Sequence, residues 1–274
     1  MGLFGKLFDK KECSICGDEI GLLGNRKLED GNMCKACAAK LSPWFDERRH
    51  STVAQIEEQL EYREANKNDV AAFHTTLSLG EATKVLIDEG AGRFMVTSVR
   101  NYSETNPDVI KLSDITGCTF DIDEDVDEMT RLNENDEAVS YDPPRFGHSY
   151  DFFVTIHVNN PYFDDMRFKV NGRSVVVEER RGAGISASSG GVNLIIGALS
   201  DAGAFNPEAD VEYRAYRDLC ETIVATLLEG RQSARKDLAA ATAPKAAVAC
   251  PYCGATTTPT PTNCCEFCGG ALGA

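Results

Sequence analysis

The sequence has few of the side chains on which catalysis usually depends, and it has no long apolar run. Four histidines and one tryptophan occur among 274 residues, and the spacing of the histidines suggests no histidine–carboxylate–nucleophile arrangement. A P-loop ending in Gly-Lys-Ser/Thr and a Gly-x-Ser-x-Gly elbow are both absent. No apolar run approaches the roughly 18 residues that a membrane span requires. These absences disfavour an enzyme and a helical membrane protein.

Basic side chains are outnumbered by acidic ones. The chain has 28 Lys and Arg against 43 Asp and Glu, a formal net charge of −15, which argues against wrapping nucleic acid or an anionic membrane with the whole surface. Residues 1–50 carry net +1 and residues 231–274 net +2, so residues 51–230 carry net −18. This asymmetry predicts separate modules with separate surfaces.

Cysteine is the residue type that stands out, with eleven copies. Eight of them form four Cys-x-x-Cys pairs, with 17 residues between the first two pairs and 11 between the last two. Two such pairs complete a tetrahedral S4 site, which suits Zn²⁺ and leaves no open position. The sequence therefore predicts two structural zinc ions, one held by Cys13, Cys16, Cys34 and Cys37 and the other by Cys250, Cys253, Cys265 and Cys268.

Disulfides are the rival interpretation of these cysteines. Met1–Phe8 has too short an apolar stretch for a signal peptide, and no cleavage site follows it. We therefore expect the reducing cytoplasm, where disulfides are rare. Cys264 is an alternative ligand to Cys265, although CEFCG around Cys265 matches the CPYCG of the preceding pair better. Cys118 on a predicted strand and Cys220 in a predicted helix have no evident basic partner, so neither is predicted to be a nucleophile.

Residues 12–45 are predicted to form a small zinc module of treble-clef-like order. Gly17 closes the first knuckle, CSICG, and the Asp-Gly turn at 30–31 predicts a hairpin. Cys34 then opens a helical segment that stops before Pro43. Knuckle, hairpin and helix would bring both cysteine pairs of this module together.

The stretch CSICGDEIGLLGNRKLEDGNMCKACAAKLSPWF resembles the N-terminal zinc-finger domain of an uncharacterised bacterial family, over about residues 10–45. The resemblance implies zinc at Cys13, Cys16, Cys34 and Cys37 in bacterial cytoplasmic proteins. It implies no activity, because the domain is one of unknown function.

A short amphipathic helix is predicted within the connecting segment, residues 46–69. Thr52 and Gln55 form a capping box, and Val53, Ile56 and Leu60 line one apolar face. The charged side chains are expected on a solvated face, namely Glu57, Glu58, Glu61, Arg63 and Glu64.

Residues 70–230 show the alternating pattern of β-strands. About seven short strands are followed by an insertion, 171–206, and by a helix predicted to begin at Asn206 and end at Gly230. Seven antiparallel strands closed by one helix resemble a pleckstrin-homology-like (PH-like) barrel, a likeness of pattern without a diagnostic motif. The expected fold class is α+β, with a central antiparallel PH-like β-barrel or sandwich and its C-terminal helix flanked by two small four-cysteine zinc modules.

The remaining segments are an N-terminal segment (1–11), an alanine-rich linker (231–249) and a C-terminal zinc ribbon (250–274). The acidic run 121–127 fails as an EF-hand loop because Val126 and Leu132 stand where Gly and Glu are needed. A solvated strand face is the favoured interpretation, with weak cation binding as the alternative.

The function favoured by the sequence is that of a zinc-binding, non-catalytic interaction or adaptor protein with a protein partner, for which Trp44, Phe45 and Phe267 are candidate contacts. One alternative is nucleic-acid binding through the zinc modules, with a modest basic set at Arg26, Lys27, Lys35, Lys40, Arg48 and Arg49. A further alternative is a peripheral membrane-surface module, acting through residues 1–8 or the PH-like domain.

Overall fold

The computed structural model describes residues 11–178, 187–189, 192–194, 205–242 and 247–272. Contacts within the chain divide it into two compact units, Met1–Arg231 and Gln232–Ala274. The proposed anchor at residues 1–8 and most of the Gly/Ser stretch 182–191 lie outside the described residues. None of the described helices is both long enough and apolar enough to cross a membrane.

Two short hairpins and a one-turn helix open the first unit. The predicted Asp-Gly turn at 30–31 lies in the second hairpin, where the backbone N–H of Leu28 donates to the carbonyl of Gly31. The elements are β1 (Lys11–Glu12) paired with β2 (Glu19–Ile20), β3 (Arg26–Lys27) paired with β4 (Asn32–Met33), and α1 (Lys35–Ala38).

Helix α2 (Val53–Ala71) begins at the predicted capping box, in which Thr52 and Gln55 exchange side-chain and backbone hydrogen bonds. Ile56 is fully buried on its inner face. The expectation that Arg63 lies on a solvated face is wrong, since this residue is 5% exposed. Arg63 follows Ile56 by two helical turns and therefore shares its face.

Two four-stranded antiparallel sheets follow. The first is a meander in chain order, formed by β5 (Leu77–Gly80), β6 (Lys84–Asp88), β7 (Arg93–Thr97) and β8 (Ile110–Lys111). In the second, β10 pairs with each of the other three strands, and the strands are β9 (Ile115–Leu132), β10 (Ala138–Val158), β11 (Asp165–Lys169) and β12 (Val175–Glu178). A short hairpin of β13 (Ala187–Ser189) and β14 (Val192–Leu194) lies within the predicted insertion.

Strands β9 and β10 are far longer than the sequence suggests, and the acidic run 121–127 lies inside β9. Aspartate and glutamate have low strand propensity, but propensity is a weak preference that pairing partners override. Here β10 pairs with β9 along nearly its whole length, with two irregularities, one between Ser140 and Arg145 and one between His157 and Val158. The acidic side chains are exposed, as expected of a solvated strand face.

Helix α3 (Val211–Thr242) covers one face of the second sheet. Alternate side chains of β10 are buried there, and the ring of Phe152 lies 5.2 Å from that of Tyr213 and 5.7 Å from that of Tyr216. Cys220 and Ile223 are fully buried on the same helix. Apolar burial between β10 and α3 therefore forms the core of this part of the unit.

Both ends of α3 differ from the prediction. Asn206 caps a short 3₁₀ turn (Pro207–Ala209), so the α-helix begins only at Val211. The helix also continues past Gly230 to Thr242, because one interior glycine costs only about 1 kcal/mol and the residues after it are good helix formers. A Cβ at Gly230 would lie 3.2 Å from Leu112 Cδ1, so this glycine allows a close approach.

The described chain is therefore a mixed α and β protein, dominated by antiparallel sheets, with a C-terminal helix and two cysteine clusters. The second unit contains the end of α3 and a two-stranded hairpin, β15 (Val248–Ala249) and β16 (Thr256–Thr257).

Candidate metal centres

Eight cysteines are gathered into two groups of four. Within each group all the sulfur atoms lie within 4.8 Å of one another. The N-terminal group contains Cys13, Cys16, Cys34 and Cys37, and the C-terminal group contains Cys250, Cys253, Cys265 and Cys268. These are the same eight residues that the spacing of the pairs selects, so each group could hold a metal ion.

The distances between the sulfur atoms fit four ligands around a tetrahedrally coordinated cation. In the N-terminal group the sulfur atoms of Cys16 and Cys34 are 3.8 Å apart. In the C-terminal group the pairs Cys250–Cys268 and Cys253–Cys265 are 3.5 and 3.7 Å apart. Four sulfurs at about 2.3 Å from a tetrahedral zinc would lie about 3.8 Å from each other. A disulfide needs about 2.05 Å, and all eleven cysteines are free thiols.

The first half of the N-terminal group is a tight knuckle. The backbone N–H of Gly17 donates to the carbonyl of Cys13 at 2.8 Å, and the backbone N–H of Cys13 donates to the carbonyl of Asp18, also at 2.8 Å. Gly17 has a φ of 77°, in the left-handed region that glycine adopts without strain. The knuckle therefore turns the chain so that Cys13 and Cys16 share one side.

The second half of this group is the start of a helix. Cys34 is the N-cap residue of α1, and its sulfur accepts the backbone N–H of Cys37 at 3.3 Å. The backbone N–H of Cys34 in turn donates to the sulfur of Cys13 at 3.2 Å. Backbone N–H groups that point at sulfur stabilise its thiolate form, which is the form that binds a metal.

The C-terminal group is built from two copies of the same knuckle. The backbone N–H of Gly254 donates to the carbonyl of Cys250 at 2.9 Å, and that of Gly269 donates to the carbonyl of Cys265 at 2.8 Å. Both glycines have positive φ, 72° and 71°. The knuckle at Gly17 has the same hydrogen bond, so three of the four pairs have one local geometry and only the pair in α1 differs.

Cys265, and not its neighbour Cys264, belongs to the C-terminal group. Cys264 forms a bridge with Ala271, and its sulfur lies 3.5 Å from the carbonyl of Thr262. Adjacent residues of an extended segment point to opposite sides, so only one of the two can face the other three sulfurs. The repeated CxxCG pattern had favoured the same residue.

One thiol in each group has a strongly lowered pKa. Burial opposes ionisation of Cys13, but hydrogen bonds from the backbone N–H groups of Cys34, Cys16 and Ile15 outweigh it and lower the pKa to about 6. The pKa of Cys250 is likewise lowered to about 6, where backbone N–H groups of Cys253 and Tyr252 overcome the effect of burial. Burial and neighbouring thiols raise the pKa of Cys37, and neighbouring thiols raise that of Cys268 to about 12, so without a cation each group favours a single thiolate.

The two cysteine groups are packed in hydrophobic clusters of different sizes. Around the N-terminal group Leu28, Met33 and Ile56 are fully buried in one cluster. Because Ile56 belongs to α2, this core extends beyond the predicted module end at residue 45. Around the C-terminal group the buried cluster consists of two of its cysteines and Leu272.

Cys118, Cys220 and His157 belong to neither of the two groups. Cys118 and Cys220 are buried, and burial raises the pKa of each to about 12. His157 Nδ1 lies 2.5 Å from Asp165 on the exposed face of its strand. Of the predicted contacts, Trp44 and Phe45 are half-buried, whereas Phe267 is 68% exposed.

A buried polar network lies beside the N-terminal group, and sequence reasoning missed it. Arg63 donates to Asp108 at 2.6 Å, and Ser42 donates to the other oxygen of the same carboxylate at 2.8 Å. Asp108 is fully buried, and burial raises the pKa of its carboxyl despite these two partners. Helical periodicity could have placed Arg63 inside, but no pattern marks Ser42 or Asp108.

A protein-family model described as a domain of unknown function (DUF4428) matches residues 11–59. No curated protein and no solved structure shows significant similarity to the chain. The match ends within α2, just after Ile56, so it covers the N-terminal cysteine group together with the helical turns that complete its core. Over these residues the chain is similar to a domain of unknown function, and its own N-terminal cysteine group lies inside the matched range.

Proposed function

We propose that this protein binds two structural zinc ions and acts as a non-catalytic interaction protein. The observation that carries the proposal is the pair of closed S4 groups with separations near 3.8 Å. Four thiolates suit zinc better than the hard cations, which prefer oxygen. A four-thiolate site leaves no open position for substrate or water, so its role is to hold the fold.

The residues divide this structural role between them. The three glycine knuckles hold the cysteine pairs in position, and Cys34 and Cys37 fix the start of α1. Bound zinc would join segments that are distant along the chain, and such joining contributes about 10 kcal/mol or more in small zinc domains. We further interpret the N-terminal module as treble-clef-like, the C-terminal one as a zinc ribbon and the two sheets with α3 as PH-like.

Exposed apolar side chains on both modules support the interaction role. Tyr252 and Phe267 occupy the same position in the two C-terminal knuckles and are 72% and 68% exposed. Leu22 and Leu23 lie between β2 and β3 in the N-terminal module and are 82% and 89% exposed. Aromatic residues held on rigid turns are common anchors in protein interfaces.

A cluster of arginines favours nucleic-acid binding as a second candidate. Burial and the charges of Arg26 and Arg49 lower the pKa of Arg48. A gel shift of the full chain with a short duplex at low salt tests this candidate. Retardation that Arg26→Gln with Arg49→Gln abolishes would favour it, and no retardation at micromolar protein would exclude it.

Native mass spectrometry tests the zinc proposal directly. We expect two zinc ions per chain from protein purified without added metal, and loss of both after denaturation with a chelator. For the interaction role, a partner captured by the wild-type chain should be lost with Tyr252→Ser and Phe267→Ser. The matched control is Val176→Ser, which changes a side chain that is 61% exposed on β12. A folded, metal-free chain would refute the zinc assignment.

A further inference from the structure

Two segments of the first unit have nearly the same short sequence and face each other across a cleft. Pro43–Glu47 reads PWFDE and Pro161–Asp165 reads PYFDD, so each has proline, two aromatic residues and two acids in the same order. Together they line a cleft of about 460 Å³, within the range of ordinary ligand pockets. The first segment ends the N-terminal cysteine module, and the second connects β10 to β11.

The lining of this cleft combines aromatic rings with carboxylates. Its aromatic members are Trp44, Phe45, Tyr162 and Phe163, and its acidic members are Asp46, Glu47, Asp164 and Asp165. No lysine or arginine is among the described residues that line it. Aromatic faces attract cations through the negative charge on their π systems, and carboxylates attract them through charge and hydrogen bonds.

Both walls are fixed by contacts behind the cleft. On one side, the hydroxyl of Ser42 accepts the backbone N–H of Trp44 at 3.1 Å while it donates to buried Asp108. On the other side, the Tyr162 ring lies 5.0 Å from the ring of Tyr62. A site whose walls are already in place loses less conformational entropy when a ligand binds.

More negative charge lies just outside the cleft. Burial, together with the charges of Glu58 and Glu61 on α2, raises the pKa of Tyr162. Asp165 has a histidine as its partner, since the Nδ1 atom of His157 lies 2.5 Å from its carboxylate.

We propose that this cleft binds an arginine- or lysine-bearing segment of a protein partner, with the cationic side chain between the facing aromatic–acidic segments. The proposal rests on the interaction role put forward above and names the chemistry of the partner. The cationic group would lie against the ring faces, and carboxylates from both walls would accept its hydrogen bonds. Charge complementarity selects a basic segment over an acidic or purely apolar one.

Trp44 is the only tryptophan of the chain, so its fluorescence reports on this cleft alone. The probe is a synthetic heptapeptide with two arginines among glycines and serines. The comparison peptide has citrulline in place of arginine, which keeps the shape and removes the charge. We expect a saturable change in emission with the arginine peptide, and affinity lower by about tenfold or more with citrulline.

A matched pair of double variants tests whether the arginine peptide binds in the cleft. Glu47→Gln with Asp164→Asn removes one carboxylate from each wall, and should weaken binding of the arginine peptide by about tenfold. Asp125→Asn with Asp127→Asn makes the same change in net charge on exposed positions of β9 and should leave binding unaltered. Tyr162→Leu, measured by calorimetry, should also weaken binding, because it removes an aromatic face but keeps an apolar side chain.

The outcomes separate this proposal from the zinc-based role. Equal binding of both peptides, or equal loss in the two double variants, would overturn the cleft assignment. Metal content is measured on the same samples. Two zinc ions per chain without peptide binding would leave the structural-zinc proposal standing and reject the cleft. Peptide binding by a metal-free chain would support the cleft and reject the zinc proposal.

Discussion

The adjacent residues Cys264 and Cys265 offer the sharpest test of the C-terminal site. Only Cys265 belongs to the four-sulfur group, while Cys264 lies beside it with its sulfur near the carbonyl of Thr262. Cys265→Ser should therefore reduce the zinc content from two ions per chain to one under chelator competition. Cys264→Ser makes the same chemical change one residue away and should leave both ions in place.

The size of the effect follows from the composition of the site. Structural zinc in small domains binds with about 10–16 kcal/mol of apparent free energy at neutral pH. Divided among four thiolates, loss of one ligand costs about 3 kcal/mol, which weakens binding by about a hundredfold. Within the described residues, the buried cluster there joins Leu272 to the cysteines, and burying this leucine contributes only about 1.5–3 kcal/mol. The hairpin should therefore unfold when its metal is lost.

The assay is native mass spectrometry of each variant across a series of chelator concentrations, with limited proteolysis as a measure of local unfolding. Cleavage should become fast after residue 247 in Cys265→Ser and remain slow in Cys264→Ser. Equal zinc affinity in wild type and Cys265→Ser would refute the assignment of this ligand. Loss of one ion from Cys264→Ser, with none from Cys265→Ser, would show that the other cysteine is the ligand.

Three further predictions concern stability. Asp108→Ala leaves the buried guanidinium of Arg63 without its carboxylate, and should lower the free energy of unfolding in urea by about 3–5 kcal/mol; adding Arg63→Met should recover part of the loss. Gly80 has a φ of 107°, and a Cβ there would lie 2.2 Å from a backbone carbonyl oxygen, so Gly80→Ala should cost about 1–3 kcal/mol in the same assay. The hydrogen bond from His148 is the main cause of the lowered pKa of Glu124. The contribution of this hydrogen bond to the stability of the folded state is therefore fully present above about pH 4.3, the usual pKa of a glutamate. It is lost as the pH falls through the lower pKa of Glu124 in the folded state. Glu124→Gln should remove this part of the acid dependence of thermal unfolding, and an unchanged pH profile would contradict the argument.

Features that depend on residues close together in the sequence could be predicted from it. The capping box at Thr52 and Gln55 is present because both partners lie within one helical turn. Phe152, Val154 and Ile156 are buried on one face of β10, as the alternating pattern of the sequence predicts. Each Cys-x-x-Cys pair brings its two cysteines together within one local turn of the chain. The candidate metal ligands could therefore be selected from the sequence alone.

Features that depend on contacts between residues far apart in the sequence could not be predicted from it. Strand β9 is longer than the short strands that the sequence predicts, and it continues to Leu132 because a long partner strand is available to pair with it. Ser42 and Asp108 meet Arg63 in a buried network, and no pattern in the sequence marks either of these partners. The end of α3 was missed for a local reason instead, since a single glycine at Gly230 is too weak a signal to end a helix whose following residues favour it.

The sequence alone determined the two cysteine quartets, the acidic centre of the chain and the alternation of its strands, because each depends on residue type and on spacing over a few residues. The tertiary structure decided which of two neighbouring cysteines faces its group, where the buried network lies, and that Trp44 and Tyr162 line one cleft. These three features depend on contacts between segments that are far apart along the chain. Burial and strand pairing bring those segments together, and no local pattern in the sequence reveals which segments will meet.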